Sequence, residues 1–134
     1  MFATMLLTIS IVALSQFALY YWRAILAGVA AQPISDRVLI AARADHGRFT
    51  ASDFGTLAGL HDLTPELYPN RGGLGFVRLY FHAIEAFGSL VGARVPVVAA
   101  WSERERATCA RYAAVRIDRR LQANLALAAS LRSC

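Results

Sequence analysis

Residues 2–22 read FATMLLTISIVALSQFALYYW, and none of these 21 positions carries a formal charge. At 1.5 Å of rise per residue the stretch makes about 31 Å of helix, the thickness of a bilayer's hydrocarbon core. It ends in Tyr20, Tyr21 and Trp22 followed by Arg23. An aromatic belt and then a cation are the anchors expected where a helix leaves hydrocarbon for headgroups. The stretch therefore predicts a transmembrane helix rather than the core helix of a soluble fold. A cleaved signal peptide is the competing reading. It calls for a cationic leader and a shorter apolar region, whereas only the terminal amine precedes this run; the small residues of Ala24–Ala31 are what resemble a cleavage region.

Working outward, no Arg precedes the span, while Arg23, Arg37 and Arg43 follow it closely. The positive-inside rule then predicts an outer amino terminus and a cytoplasmic carboxyl-terminal domain. Within the span Thr4, Thr8 and Ser15 share a helical stripe, and Gln16 lies just past the middle. Hydroxyls and amides in lipid seek partners, so these residues are candidates for docking on neighbouring helices, the alternative being bonds to their own i−4 carbonyls. Beyond Arg23 the helix is expected to run to Pro33, with Ala24, Gly28 and Ala31 forming a small-residue face suited to close helix contact. No ionisable residue lies inside the hydrocarbon stretch. That disfavours a proton relay, an ion path or a transporter, and leaves no His in the span to ligate haem or chlorophyll.

Composition agrees with this division. The 134 residues are 57% hydrophobic and only 17% charged, with mean hydropathy +0.42, which excludes a disordered chain. Two cysteines exclude a disulfide scaffold. All fourteen cations are Arg, about a fifth of the residues are Ala, and the net charge is +5. Arg and Ala without Lys suggest a GC-rich bacterial genome, hence a bacterial cytoplasmic membrane. The expected organisation is a transmembrane helix with juxtamembrane extension over 2–32 and an Arg-rich helical cytoplasmic domain over 33–134.

Within 33–134 no strand alternation persists, so the fold class is all-α. A short helix is expected from Ser35 as N-cap to about Asp45-His46-Gly47. A second starts at Thr50–Asp53, with T-x-x-D capping spacing, and reaches Asp62; a further turn starts at Thr64-Pro65-Glu66. Tyr68–Gly73 is the strongest breaker. Leu74–Val91 is a helix whose polar positions Arg78, His82, Glu85 and Ser89 form one stripe. Its remaining face, from Phe76, Val77 and Tyr80 through Phe81, Ile84, Phe87 and Val91, is expected to pack in the domain core rather than lie on headgroups. From Val97 to Cys134 there is neither Gly nor Pro, which predicts one helix about 57 Å long. Its second half carries an apolar seam of coiled-coil type, including Ile117, Leu121, Leu125 and Leu131. Arg104, Arg106, Arg111, Arg116, Arg119 and Arg120 make the helix basic and are candidate contacts for anionic lipid headgroups or an acidic partner.

Chemistry-bearing patterns are sparse. Cys109 and Cys134 would stand about 37 Å apart on one unbroken helix, beyond disulfide reach; Cys109 is expected to be a small core residue. His82 and Glu85 share a face, and the expectation is a solvated local contact rather than a metal site, with His61 or Asp62 the only nearby candidates for further ligands. Arg71-Gly72-Gly73-Leu74-Gly75 is read as a hinge before a helix rather than an anion cradle. Thr50–Leu67 has the outline of a helix-turn-helix, but its second helix carries Pro65 and no cation before Arg71, so base reading is not expected. No catalytic residue, cofactor, metal, nucleic acid or small-molecule substrate is predicted. The expected role is a non-enzymatic accessory subunit of a membrane complex, of the sort photosynthetic and respiratory assemblies contain, with other integral membrane subunits as partners. The alternative is a membrane-tethered, self-associating binding or regulatory module.

Overall fold

The computed structural model describes residues 1–41, 49–64 and 74–133. Among them every element is helical: α1 (Phe2–Ala30), α2 (Asp36–Ala41), α3 (Asp53–Leu63), α4 (Gly75–Gly92) and α5 (Pro96–Arg132). The all-α expectation is met, with a long apolar first helix and a 37-residue last one. The expected end of the second helix at 45–47, the turn from Pro65, the breaker at Tyr68–Gly73 and Cys134 lie outside the described residues.

The domain is organised around α5. Close backbone packing between elements runs from α5 to α4, α3, α1 and α2. The sequence of α5 explains why it holds the centre. Cys109, Ala110, Ala113 and Ala114 are fully buried, and small side chains let three helix axes approach one another. Val115 and Ile117 complete this buried stretch. Around it Leu26 of α1, Val38 of α2, Phe54 and Leu57 of α3, and Val77 and Phe81 of α4 form one core. Phe54 stacks on Phe81 with ring centroids 4.2 Å apart, joining α3 to α4. Burial pushes the Cys109 thiol up to about 12, with the Glu105 charge adding to the effect. The thiol is thus an inert packing group at neutral pH.

Local signals act with some differences from expectation. Asp53 accepts from the Thr50 N–H at 2.7 Å and from the Thr50 hydroxyl at 2.9 Å, so the T-x-x-D spacing does tie down the start of α3. Ser35, expected to cap α2 with its side chain, instead donates its hydroxyl to Asp118 of α5. The N–H groups of Val38 and Leu39 in α2 donate to the Ser35 carbonyl. At the other end of α3, Arg78 donates to the Ala58 carbonyl at 3.0 Å and Arg120 to the His61 carbonyl at 3.3 Å. Of these two carbonyls, that of His61 belongs to the last turn of α3, where it also accepts from the Thr64 N–H at 3.3 Å.

The expectation about the apolar face of α4 is corrected. On α4 only Val77, Phe81 and Ile84 are buried; Phe76 and Phe87 remain about half exposed. The helix has three faces rather than two: a core face, a polar face (Arg78, His82, Glu85, Ser89), and an uncovered apolar face through Phe76, Leu79, Ala83, Phe87 and Leu90. On α5 the expected seam is divided. Ile117 is in the core and Leu121 packs against it. Leu125 and Leu131 stand on the exposed distal turns, where α5 extends past the domain.

Candidate membrane-docking interface

α1 has two parts of different character. Every residue from Met1 to Tyr21 is exposed, and none is buried against the described residues. The helix is long and apolar enough to cross a membrane, with mean hydropathy 1.9 over its best 18-residue window. From Trp22 onward it becomes part of the domain, with Leu26 and Ala30 buried.

The junction is held by polar clamps to α5. Arg23 donates through Nε to Glu105 Oε1 at 2.9 Å and through Nη2 to the same oxygen, and its guanidinium lies 5.7 Å from the centre of the Trp101 ring. Tyr80 of α4 donates its hydroxyl to the second Glu105 oxygen at 3.2 Å. Burial, followed by the Glu105 charge, raises the Tyr80 pKa above the ordinary phenol range, so it stays a donor. Further along, Arg119 donates to the Gln32 side-chain oxygen. Buried Asp118 accepts from the Ser35 N–H at 3.3 Å, from the Ser35 hydroxyl and from Gln122 Nε2 at 2.9 Å. An apolar helix joined to a domain by three such points differs from a tether through a flexible linker.

The expected site residues fall into distinct settings. Thr4, Thr8 and Ser15 are on the bare part of α1 and donate their hydroxyls to the carbonyls of Met1, Thr4 and Ile11 at 2.7–2.8 Å. Their donors are therefore satisfied within the helix, the local alternative to interhelical docking. Tyr20 and Tyr21 are exposed. Trp22 instead turns inward, edge-on to Phe76 at 4.5 Å, and its buried indole N–H finds no acceptor among the described residues. Ala24 and Gly28 are exposed on the side of α1 away from α5, and a side chain placed at Gly28 would meet nothing within 4 Å. Gln16 borders a cleft of about 470 Å³ with Leu19, Tyr20, Tyr80, Phe87 and Trp101.

The arginines are not one patch. Arg106 bridges Glu85 at 3.5 Å and Glu103 at 2.5 Å, Arg119 and Arg120 make the internal bonds already described, and Arg116 lies over the Tyr112 ring at 5.7 Å. Arg104 and Arg111 are exposed. His82 Nδ1 is 3.3 Å from Glu85 Oε2, the local contact expected from their spacing. Together with Arg78, Glu103 and Arg106 they border a groove of about 520 Å³ between α3, α4 and α5, in which the charges pair with one another. No group of three or more metal-ligating side chains occurs among the described residues.

Sequence reading missed Asp118 and missed the role of Gly88 and Gly92. A Cβ at Gly88 would stand 2.5 Å from Ser102 Oγ, and one at Gly92 3.1 Å from the Ala99 Cβ. These glycines let α4 and α5 close upon each other, and the G-x-x-x-G spacing of Gly88-Ser89-Leu90-Val91-Gly92 was the available signal. No known protein family matches the chain, and no curated protein or solved structure is similar to it.

Proposed function

We propose that this chain is a non-enzymatic accessory subunit of an integral membrane complex in a bacterial cytoplasmic membrane. Its amino terminus lies outside, and its helical domain lies on the Arg-bearing cytoplasmic side. The observation that supports this reading best is the junction at Trp22–Ala30, where a bare apolar helix is fixed to a folded domain through Arg23–Glu105, Gln32–Arg119 and Ser35–Asp118. Such coupling suits a part that fixes the position of a domain against neighbouring subunits. The open Ala24 and Gly28 face offers close approach to a partner's helix, and exposed Arg104 and Arg111 face acidic partner surfaces or anionic headgroups. Extraction of the native membrane in mild detergent, followed by native electrophoresis and mass spectrometry, tests the reading. The expected result is co-migration with other integral membrane proteins, weakened by Gly28→Leu. A lone monomer without a stable partner contradicts it.

A second reading, a tethered self-associating module, is favoured by the exposed Leu125 and Leu131 on the distal turns of α5. The full chain is the material for its test, because removing residues 1–32 would strip Leu26 and Ala30 from the core. Efficient disulfide cross-linking of Leu125→Cys in membranes supports pairing of two copies along α5.

A further inference from the structure

The uncovered apolar surface does not end with α1. From Ala86 to Trp101 the sequence AFGSLVGARVPVVAAW contains one charged residue, Arg94, and none of these residues is buried. They form the tip of the antiparallel α4–α5 hairpin, closed by Gly88 against Ser102 and Gly92 against Ala99. Charged groups resume at one level on both arms. Glu85 on α4 and Glu103 and Glu105 on α5 are joined by Arg106 and Arg23, the cation that also ends the apolar run of α1. α1 and α5 run in the same direction, since Arg23 meets Glu105 and Gln32 meets Arg119. Going back from Glu105 to Pro96 therefore carries α5 about 14 Å alongside α1 towards its apolar end. Gln16, Leu19 and Tyr20 indeed border one cleft with Phe87 and Trp101.

Four N–H groups of the turn are satisfied within the hairpin. Arg94 and Val95 donate to the Val91 carbonyl at 3.0 Å, and Val98 and Ala99 donate to the Val95 carbonyl at 3.0 and 3.3 Å. Pro96 has no N–H to satisfy. Backbone at membrane depth is tolerated when its polar groups are met internally, and Arg94, exposed at the tip, has a long stem that carries its head towards the headgroups. We infer that the α4–α5 hairpin tip, Ala86–Trp101, is a second membrane-inserted element, sunk among the lipid acyl chains of the leaflet from which α1 emerges. The Arg23–Glu105–Arg106 layer then marks the headgroup boundary for both elements. A reach of about 14 Å past this layer is less than half of the roughly 30 Å hydrocarbon core, so the tip enters one leaflet without crossing the bilayer. The inference rests on α1 being a span.

The test uses the full chain in phosphatidylcholine–phosphatidylglycerol vesicles, with Cys134→Ser as background and buried Cys109 left unlabelled. An environment-sensitive fluorophore is placed in turn on Ile9→Cys, Leu90→Cys, Val97→Cys and Ser130→Cys. The expected result is a blue shift and quenching by acyl-chain nitroxide lipids at 9, 90 and 97, with aqueous iodide quenching only 130. Lipid quenching at 9 with iodide quenching at 90 and 97 overturns the inference and leaves the span intact. Iodide quenching at 9 as well overturns the span reading and the inference with it. Probes at 90 and 97 that neither quencher reaches place a second copy of the protein over the tip, which also overturns lipid insertion.

Discussion

α1 before Trp22 and the middle of α5 are opposites in sequence and in surroundings. The first is almost purely apolar, yet no residue to Tyr21 is covered by the chain; the second lies among arginines, yet Cys109, Ala110, Ala113 and Ala114 are fully buried. In water the reverse would hold, because uncovered apolar area costs about 25 cal/mol per Å². On the proposed membrane reading, the contrast reflects two solvents acting on one molecule: lipid around α1, and small side chains with clamped charges packing around α5.

The largest expected effect breaks the first half of that contrast. Ile9→Arg with Val12→Arg places two cations at the middle of the span, each costing about 2.5–3.5 kcal/mol to insert. The protein should shift from the carbonate-resistant membrane fraction to the soluble or aggregated one, whereas Ile9→Ala should not move it. The matching break in α5 is Ala113→Leu, which forces extra volume into a filled centre. It should lower unfolding stability in detergent by about 1–3 kcal/mol, while Leu7→Ala in α1 leaves the domain's denaturant midpoint unchanged.

Smaller perturbations sharpen the junction between the two regions. Asp118→Ala leaves the Ser35 N–H and hydroxyl without their acceptor and should cost about 1–3 kcal/mol, with faster amide exchange in α2 as its local signature. Arg23→Ala removes a partly exposed pair, so its cost should be about 1 kcal/mol or less, falling with added salt. The smallest effect concerns His61, whose pKa is lowered by burial and then by the Arg120 charge. The fold holds the neutral imidazole, so its contribution is complete above the unfolded value of 6.5 and lost as pH falls from there towards the lowered folded value. Denaturant titrations should show stability declining with acidification across that window, and His61→Gln should flatten this slope.

How much of this was legible in the sequence depended on the kind of signal. α1 and α5 were plain because an uncharged run and a stretch without Gly or Pro act over many residues. The polar stripe of α4 was equally plain, but period alone divides a helix into polar and apolar and does not say that part of its apolar side is left uncovered. For that reason Phe87 was expected in the core and stands outside it. Asp118 was opaque because its partner Ser35 is 83 residues away, a distance that local spacing does not bridge. The hydroxyls of Thr4, Thr8 and Ser15 bond to carbonyls of their own helix.

Hydrogen exchange on the full chain in lipid vesicles tests the two-solvent account most directly. It predicts that the amides of residues 2–21, which no protein covers, exchange as slowly as those of 109–118 in the protein core, and that both stay slower than the exposed distal turns at 126–132. Rapid exchange over 2–21 beside a protected 109–118 would contradict it, for α1 would then stand in water.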